Sequence, residues 1–132
     1  MSEAARQHPL ARHVDEPQVR AAIDEAEANT TGKVEVVLAS HFKGDIRHGA
    51  HFAFDKNLSK LPERNGILFF VVPSRREFVV WGDAAIHEKV GQNFWDHLVH
   101  SVRERFKFGD LTGGLLQGIH EAGVVLARHF PK

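Results

Sequence analysis

The sequence predicts an α/β fold, a three-layer α/β/α sandwich around a small mixed β-sheet, and three observations carry that reading. Lys33 to Ser40 has Val34, Val36 and Leu38 on one face and Val37 and Ala39 on the other, and Ile67 to Val72 is apolar without a break. Strands that are apolar on both faces need cover on both sides. Phe78 to Trp81 is a third apolar run, separated from Val72 only by Pro73, Ser74, Arg75, Arg76 and Glu77, a polar turn that makes the second and third strands an antiparallel hairpin. The rest of the chain carries apolar residues at helical spacing and supplies the outer layers.

Residues 1–14 are polar and rich in Ala, Arg and His, and read as an arm ahead of a domain spanning 15–132. Asp15 is placed to cap a first helix, with Pro17 in the first turn, where its missing N–H costs nothing. Val19, Ala22, Ile23 and Ala26 form the buried stripe of that helix, and Asn29-Thr30-Thr31-Gly32 ends it. After the first strand, Asp45 caps a helix from Ile46 to about Leu58, with Ile46, Ala50, Ala53 and Leu58 inward. This helix carries the chain back, so the strand at Ile67 runs parallel to the one at Val34 through a right-handed crossover. Past the hairpin, Asp83 can cap a short helical segment, Ala84 to Val90, interrupted by Gly91. Asn93 to Phe106 resumes the helix with Leu98, Val102 and either Phe94 and Phe106 or Trp95 inward. A last helix from about Leu111 to Arg128 turns Leu115, Ile119, Ala122 and Leu126 to the core. Its small-residue strip Gly114, Gly118, Ala122 allows close packing, and Phe130 tucks back.

Composition narrows the chemistry. The 132 residues fit one domain, and the absence of cysteine excludes disulfides, thiolate nucleophiles and cysteine-ligated zinc or iron–sulfur sites. Lys+Arg and Asp+Glu are 17 each, so the chain lacks the basic field of a nucleic-acid binder. No segment approaches the roughly 20 apolar residues of a membrane span, and no apolar leader is visible. The expectation is a cytoplasmic protein without direct membrane insertion.

The predicted topology nominates one edge. A hairpin sets Arg64-Asn65-Gly66 beside Gly82-Asp83, and the parallel pairing adds Thr31-Gly32 to the same end. A hard divalent cation such as calcium takes oxygen ligands, which Asp83, Asn65 and Thr31 supply, with Glu88 and Asp110 as candidates to join them. An oxyanion would instead meet Arg64 and the amides of the helix after Gly82, with Asp83 as acid, base or nucleophile. The same residues also read as a helix cap and an Asn-Gly turn. No catalytic residue is identified: the Asp-x-Asp pattern of aspartyl phosphatases is missing. Two further sets share helix faces, His48, His51 and Asp55, then His97, His100 and Glu104, at a spacing that suits zinc and equally suits a solvated surface. Arg75 and Arg76, with His41 and Lys43, make a small cationic patch at the opposite end of the sheet, the end that open-sheet ligands favour.

The ordered pieces A-E-x-x-T-x-G at Ala26 to Gly32, KVEVVLAS, RNGILFFVV, WGDAAIHEKVG and FKFGDLTGGLLQGIHEAGVVLARHFP, spanning Asp15 to Pro131, resemble the TPM domain family, and most closely its soluble bacterial branch. The resemblance implies an α/β/α sandwich. For activity it implies calcium binding or acid phosphatase activity, which some members show. Lys33 stands where many relatives have an acidic residue, and the leaders and anchors common among them are not seen here. The expectation is a TPM-type module binding a divalent cation, calcium ahead of zinc, at the Asn65/Asp83 edge. The alternative is a non-catalytic interaction module docking a membrane-anchored protein partner.

Overall fold

In the computed structural model, which describes residues 14–132, the chain runs α1 (Glu16–Glu27), β1 (Lys33–Leu38), α2 (Ile46–Asn57), β2 (Gly66–Val72), β3 (Glu77–Gly82), α3 (Ala84–Lys107) and α4 (Leu111–His129). Residues 1–13 of the expected arm lie outside the described residues; Val14 packs against the core. Each of these helices starts on an aspartate. Asp15 accepts from the Gln18 amide at 3.1 Å, Asp45 from Arg47 at 2.9 Å, Asp83 from Ala84 at 2.7 Å and Asp110 from Gly113 at 2.8 Å. Capping oxygens of this kind satisfy amides that have no partner inside the helix.

The sheet has the order β1-β2-β3, with β1 parallel and β3 antiparallel to β2. Every residue of β2 is buried. Its alternate side chains enter two separate cores, as the period of a strand requires. Ile67, Phe69 and Val71 meet α1, α3 and α4 on one face, while Leu68, Phe70 and Val72 meet α2 on the other. The α/β/α sandwich is therefore asymmetric, with three helices against one.

The hairpin connection is shorter than the sequence suggests. Pro73–Arg75 forms one 3₁₀ turn, Arg76 takes a left-handed conformation at φ 56°, and Glu77 already pairs with Val72 as the first residue of β3. Between the alternatives for α3, Trp95 is the buried residue beside Leu98 and Val102, and Phe94 and Phe106 are only partly covered. Gly91 breaks α3 at φ 77°, ψ 170°, a region essentially reserved for glycine. Across that break the Trp95 indole N–H donates to His87 Nδ1 at 3.0 Å, joining the two halves of the helix.

The strip on α4 does what small residues allow. Leu115, Ile119, Ala122 and Leu126 are fully buried, and Gly118 lies so close to the sheet that a Cβ there would come within 2.7 Å of the Phe69 ring. α1 lies parallel to α4. The Asp15 amide donates to Thr112 Oγ1 at 2.9 Å at one end, and Thr30 meets the Leu126 and Phe130 carbonyls at the other.

Replacing Gly118 by alanine improves intrinsic helix propensity by about 1 kcal/mol but forces Phe69 or α4 to move. The expected net result of Gly118→Ala is destabilisation of about 1–3 kcal/mol in urea unfolding, against near-neutral behaviour for a substitution at exposed Val124.

Candidate functional site

The end of the sheet where β1 and β2 begin and β3 ends is tied together by a set of hydrogen bonds. The Asp83 amide donates to the Gly66 carbonyl at 2.9 Å and the Ala85 amide to the Arg64 carbonyl at 3.0 Å, so the loop before β2 is bound to the start of α3. Arg64 reaches this arrangement with φ 53°, a left-handed conformation uncommon outside glycine. Asn65 Nδ2 donates to Thr31 Oγ1 at 3.0 Å, which adds the loop before β1. The Thr30 hydroxyl donates toward the carbonyls of Leu126, at 3.1 Å, and Phe130, at 2.5 Å, and accepts from the Gly32 amide at 3.0 Å. The last turn of α4 is thereby locked to the same end.

Thr30, Asn65 and Asp83 are the buried polar residues of the described chain. All three sit here. Asp83 is 5 % exposed, and its two oxygens differ. Oδ1 accepts from the Ala84 amide at 2.7 Å and from Arg64 Nε at 3.3 Å. Oδ2 is buried and, among the described residues, has no hydrogen-bond partner. An N-cap aspartate usually accepts from the second or third helical amide; here the second, Ala85, is taken by Arg64 O, and Asp83 turns to the first. The cap therefore explains one oxygen and leaves the other with nothing to offset its desolvation.

Thr31, Arg64, Asn65 and Asp83 thus converge as the pairing of the strands predicts. Glu88 lies exposed on α3, and the hydrogen bonds found at Asp83 come from Arg64 and Ala84 instead. Asp110 does not join them. It caps the start of α4 and pairs with Arg105 at 3.2 Å, about 28 Å of helix away from the Phe130 end that abuts Thr30. The chain direction of α4, which the apolar stripe alone does not reveal, makes the difference.

An oxyanion finds few free donors at this edge. The Ala84 and Ala85 amides and Arg64 Nε are all engaged, although the rest of the Arg64 side chain is 61 % exposed. The histidine sets are surface features: His51 stacks on Trp81 with centroids 5.1 Å apart and lies 3.5 Å from Asp55, while Glu104 pairs with Lys107 at 3.2 Å. Among the described residues, no group of three His, Cys, Asp or Glu side chains is gathered closely enough to hold a metal ion by themselves. In the cationic patch, Arg75 donates to the Gly44 carbonyl at 2.7 Å, stacks over Phe42 at 5.6 Å and pairs with Glu77 at 2.7 Å, so it anchors a loop. Thr30 was not singled out by the sequence. Its partners lie 96 and 100 residues away, and only the T-x-G spacing hinted at it.

Comparison with known proteins agrees with this architecture. A family model described as the TPM domain matches residues 12–125. The solution structure of the BA42 protein from the psychrophilic bacterium Bizionia argentinensis is similar, with 32 % identity and a TM-score of 0.80 over 89 % of this chain and 84 % of that one. The N-terminal domain of the cg2496 protein from Corynebacterium glutamicum shares the fold at 19 % identity, with a TM-score of 0.66 over 86 % of this chain and 72 % of that one. No curated protein matches the sequence significantly. Among the described residues, no helix is long and apolar enough to cross a membrane.

The two adjacent threonines have different burdens. Thr30→Val strands the buried Gly32 amide, while the Leu126 and Phe130 carbonyls keep the Phe130 and Thr31 amides, and is expected to destabilise the fold by about 1–3 kcal/mol, whereas Thr31→Val removes the Asn65 contact and costs about 1 kcal/mol or less. Equilibrium urea unfolding of the two variants side by side gives the ranking.

Proposed function

The chain belongs to the TPM domain family, and from that premise we propose that it is a divalent-cation-binding module whose ion, calcium foremost, is held at Asp83. The observation that supports this most is the second oxygen of that carboxylate, buried and without a hydrogen-bond partner. A buried charged oxygen left alone costs several times a lost neutral hydrogen bond, and a hard cation is the partner that removes the penalty. Two neutral oxygen donors are within the same hydrogen-bonded end of the sheet. Thr31 contributes its hydroxyl, and Asn65, whose amide nitrogen is committed to Thr31, has its amide oxygen to offer.

The donor set fits a hard cation better than a soft one, because every candidate ligand is an oxygen and the chain has no cysteine. A single carboxylate makes it a weak site. Affinity in this class falls as the charge of the ligand set falls, toward dissociation constants of about 10⁻⁴–10⁻³ M. Arg64 regulates access, since its guanidinium shares Oδ1 of the same carboxylate and opposes a second positive charge. Its side chain is exposed enough to swing into water when an ion enters. Bound, the ion supplies charge neutralisation and ties the loops at Thr31 and Asn65 to the start of α3. The reading is one of binding rather than phosphoryl transfer, because the Ala84 and Ala85 amides that would cradle a phosphate are occupied and, among the described residues, no group of three His, Asp or Glu side chains is gathered at Asp83.

Thermal melts in chelator and then in excess calcium, magnesium or zinc test this. A ligand at about 100 times its dissociation constant adds about 2.7 kcal/mol, which raises the midpoint by several degrees in a domain of this length. The wild-type protein is expected to show that rise with calcium, and Asp83→Asn to lose it while remaining folded. Arg64→Gln is expected to enlarge it. A rise with zinc alone would move the site to the histidine faces, and no rise with any of the three ions would sink the proposal.

A further inference from the structure

The two edges of the sheet are finished differently. At β1, Glu27 of α1 accepts from the Val34 amide at 2.8 Å, so a side chain of the protein occupies part of that edge. Among the described residues, β3 has no such cover. Its amide-to-carbonyl pattern follows from the Asp83 to Gly66 bond: backbone groups alternate along an antiparallel strand, so those of Trp81, Val79 and Glu77 face β2 and those of Gly82, Val80 and Phe78 face away. Among the described residues, the outward N–H and C=O groups of these three find no partner beyond the sheet.

Two recesses run along this edge, one of about 560 Å³ beside the first half of β3 and one of about 320 Å³ beside Val80, Trp81 and Gly82. The larger is strongly cationic. Arg47 from α2, Arg76 from the turn, and Arg103 and Lys107 from α3 line it, against a single acid, Glu77, which already pairs with Arg75 at 2.7 Å. Lys107 shares Glu104 at 3.2 Å, while Arg47, Arg76 and Arg103 have no carboxylate partner among the described residues. Phe78, set edge-on to Phe106 at 5.0 Å, gives the recess an apolar floor.

We propose that the free edge of β3 is a docking site for an extended, acidic peptide segment of a partner protein, which adds to the sheet as a fourth strand. Main-chain hydrogen bonds to Phe78, Val80 and Gly82 give the register, and every second side chain of the segment reaches the arginine-lined recess. Charge decides the occupant. A second copy of this chain pairing β3 with β3 offers the recess no free acid, since Glu77 already pairs with Arg75 and Asp83 is buried. An acidic strand meets the opposite condition. The site is separate from Asp83, and its test reads a different set of residues.

The experiment is an NMR titration of the full ¹⁵N-labelled chain with a capped octapeptide of alternating Thr and Glu, followed by amide exchange. The expected result is slowed exchange at Phe78, Val80 and Gly82, weakened by added salt, with no comparable effect from the Thr/Lys octapeptide. Arg76→Glu with Arg103→Glu should weaken binding about tenfold or more. Should that pair unfold the protein, Arg103→Gln alone, at an exposed position, should still weaken it. Unchanged exchange with the acidic peptide overturns the proposal, as does equal binding of the lysine peptide. A Thr/Glu peptide N-methylated at alternate residues that binds as well as its parent also overturns it, since charge then acts without strand addition. So does protection of the same three amides without peptide in a dimer seen by sedimentation, which would make a second copy the occupant.

Discussion

Everything in this molecule follows from the burial of β2 on both faces. Seven consecutive residues without exposed surface cannot lie at the rim of a sheet or face water on one side, so the strand needs neighbours to left and right and helices above and below. The chain meets the lateral demand with the fewest strands that suffice. It meets the vertical one unequally: Phe70 and its neighbours are covered by α2 alone, whereas Phe69 lies under the close-packed α4 with α1 and α3 beside it. The thinner cover leaves the α2 face with exposed Phe52 and the half-exposed Trp81–His51 stack.

The same constraint makes the ends of β2 the natural places for polar chemistry. Once its side chains are all apolar and all buried, hydrogen-bonding capacity accumulates in the loops where the strand enters and leaves. At the entry, Arg64, Asn65 and Gly66 bind the start of α3 and the loop before β1 through backbone and side chain alike. Such a network is rigid because each member is bonded to another element, and rigidity is what holds Asp83 Oδ2 away from alternative partners. At the exit, Arg75 performs a comparable anchoring role for the loop at Gly44.

Much of this was legible in the residues. The unbroken apolar run of β2, the four aspartate caps and the small residues of α4 are local signals with one main physical meaning each, and they led to the right layers. The convergence of Thr31, Asn65 and Asp83 followed from strand pairing, since a parallel neighbour and a hairpin leave only one end for those loops to share. What stayed hidden depended on long-range placement. Asp110 looked like a companion of Asp83 because an apolar stripe does not say which end of a helix lies where. The role of Thr30 needs the final turn of α4 beside it, and the cationic recess gathers Arg47, Arg76 and Arg103 from three elements that no spacing rule connects.

The Thr30 lock has a consequence for how the protein comes into being. The hydroxyl that holds α1 and β1 in place is bonded to a carbonyl 100 residues further along. At roughly 5–20 residues per second on the ribosome, that interval lasts about 5–20 s, far longer than helices and hairpins take to form. Throughout it the apolar stripe of α1, with Val19 and Ile23, has no α4 to rest on. The nascent chain therefore waits with its first helix lacking its α4 cover, and the native domain closes only after its last turn has been made.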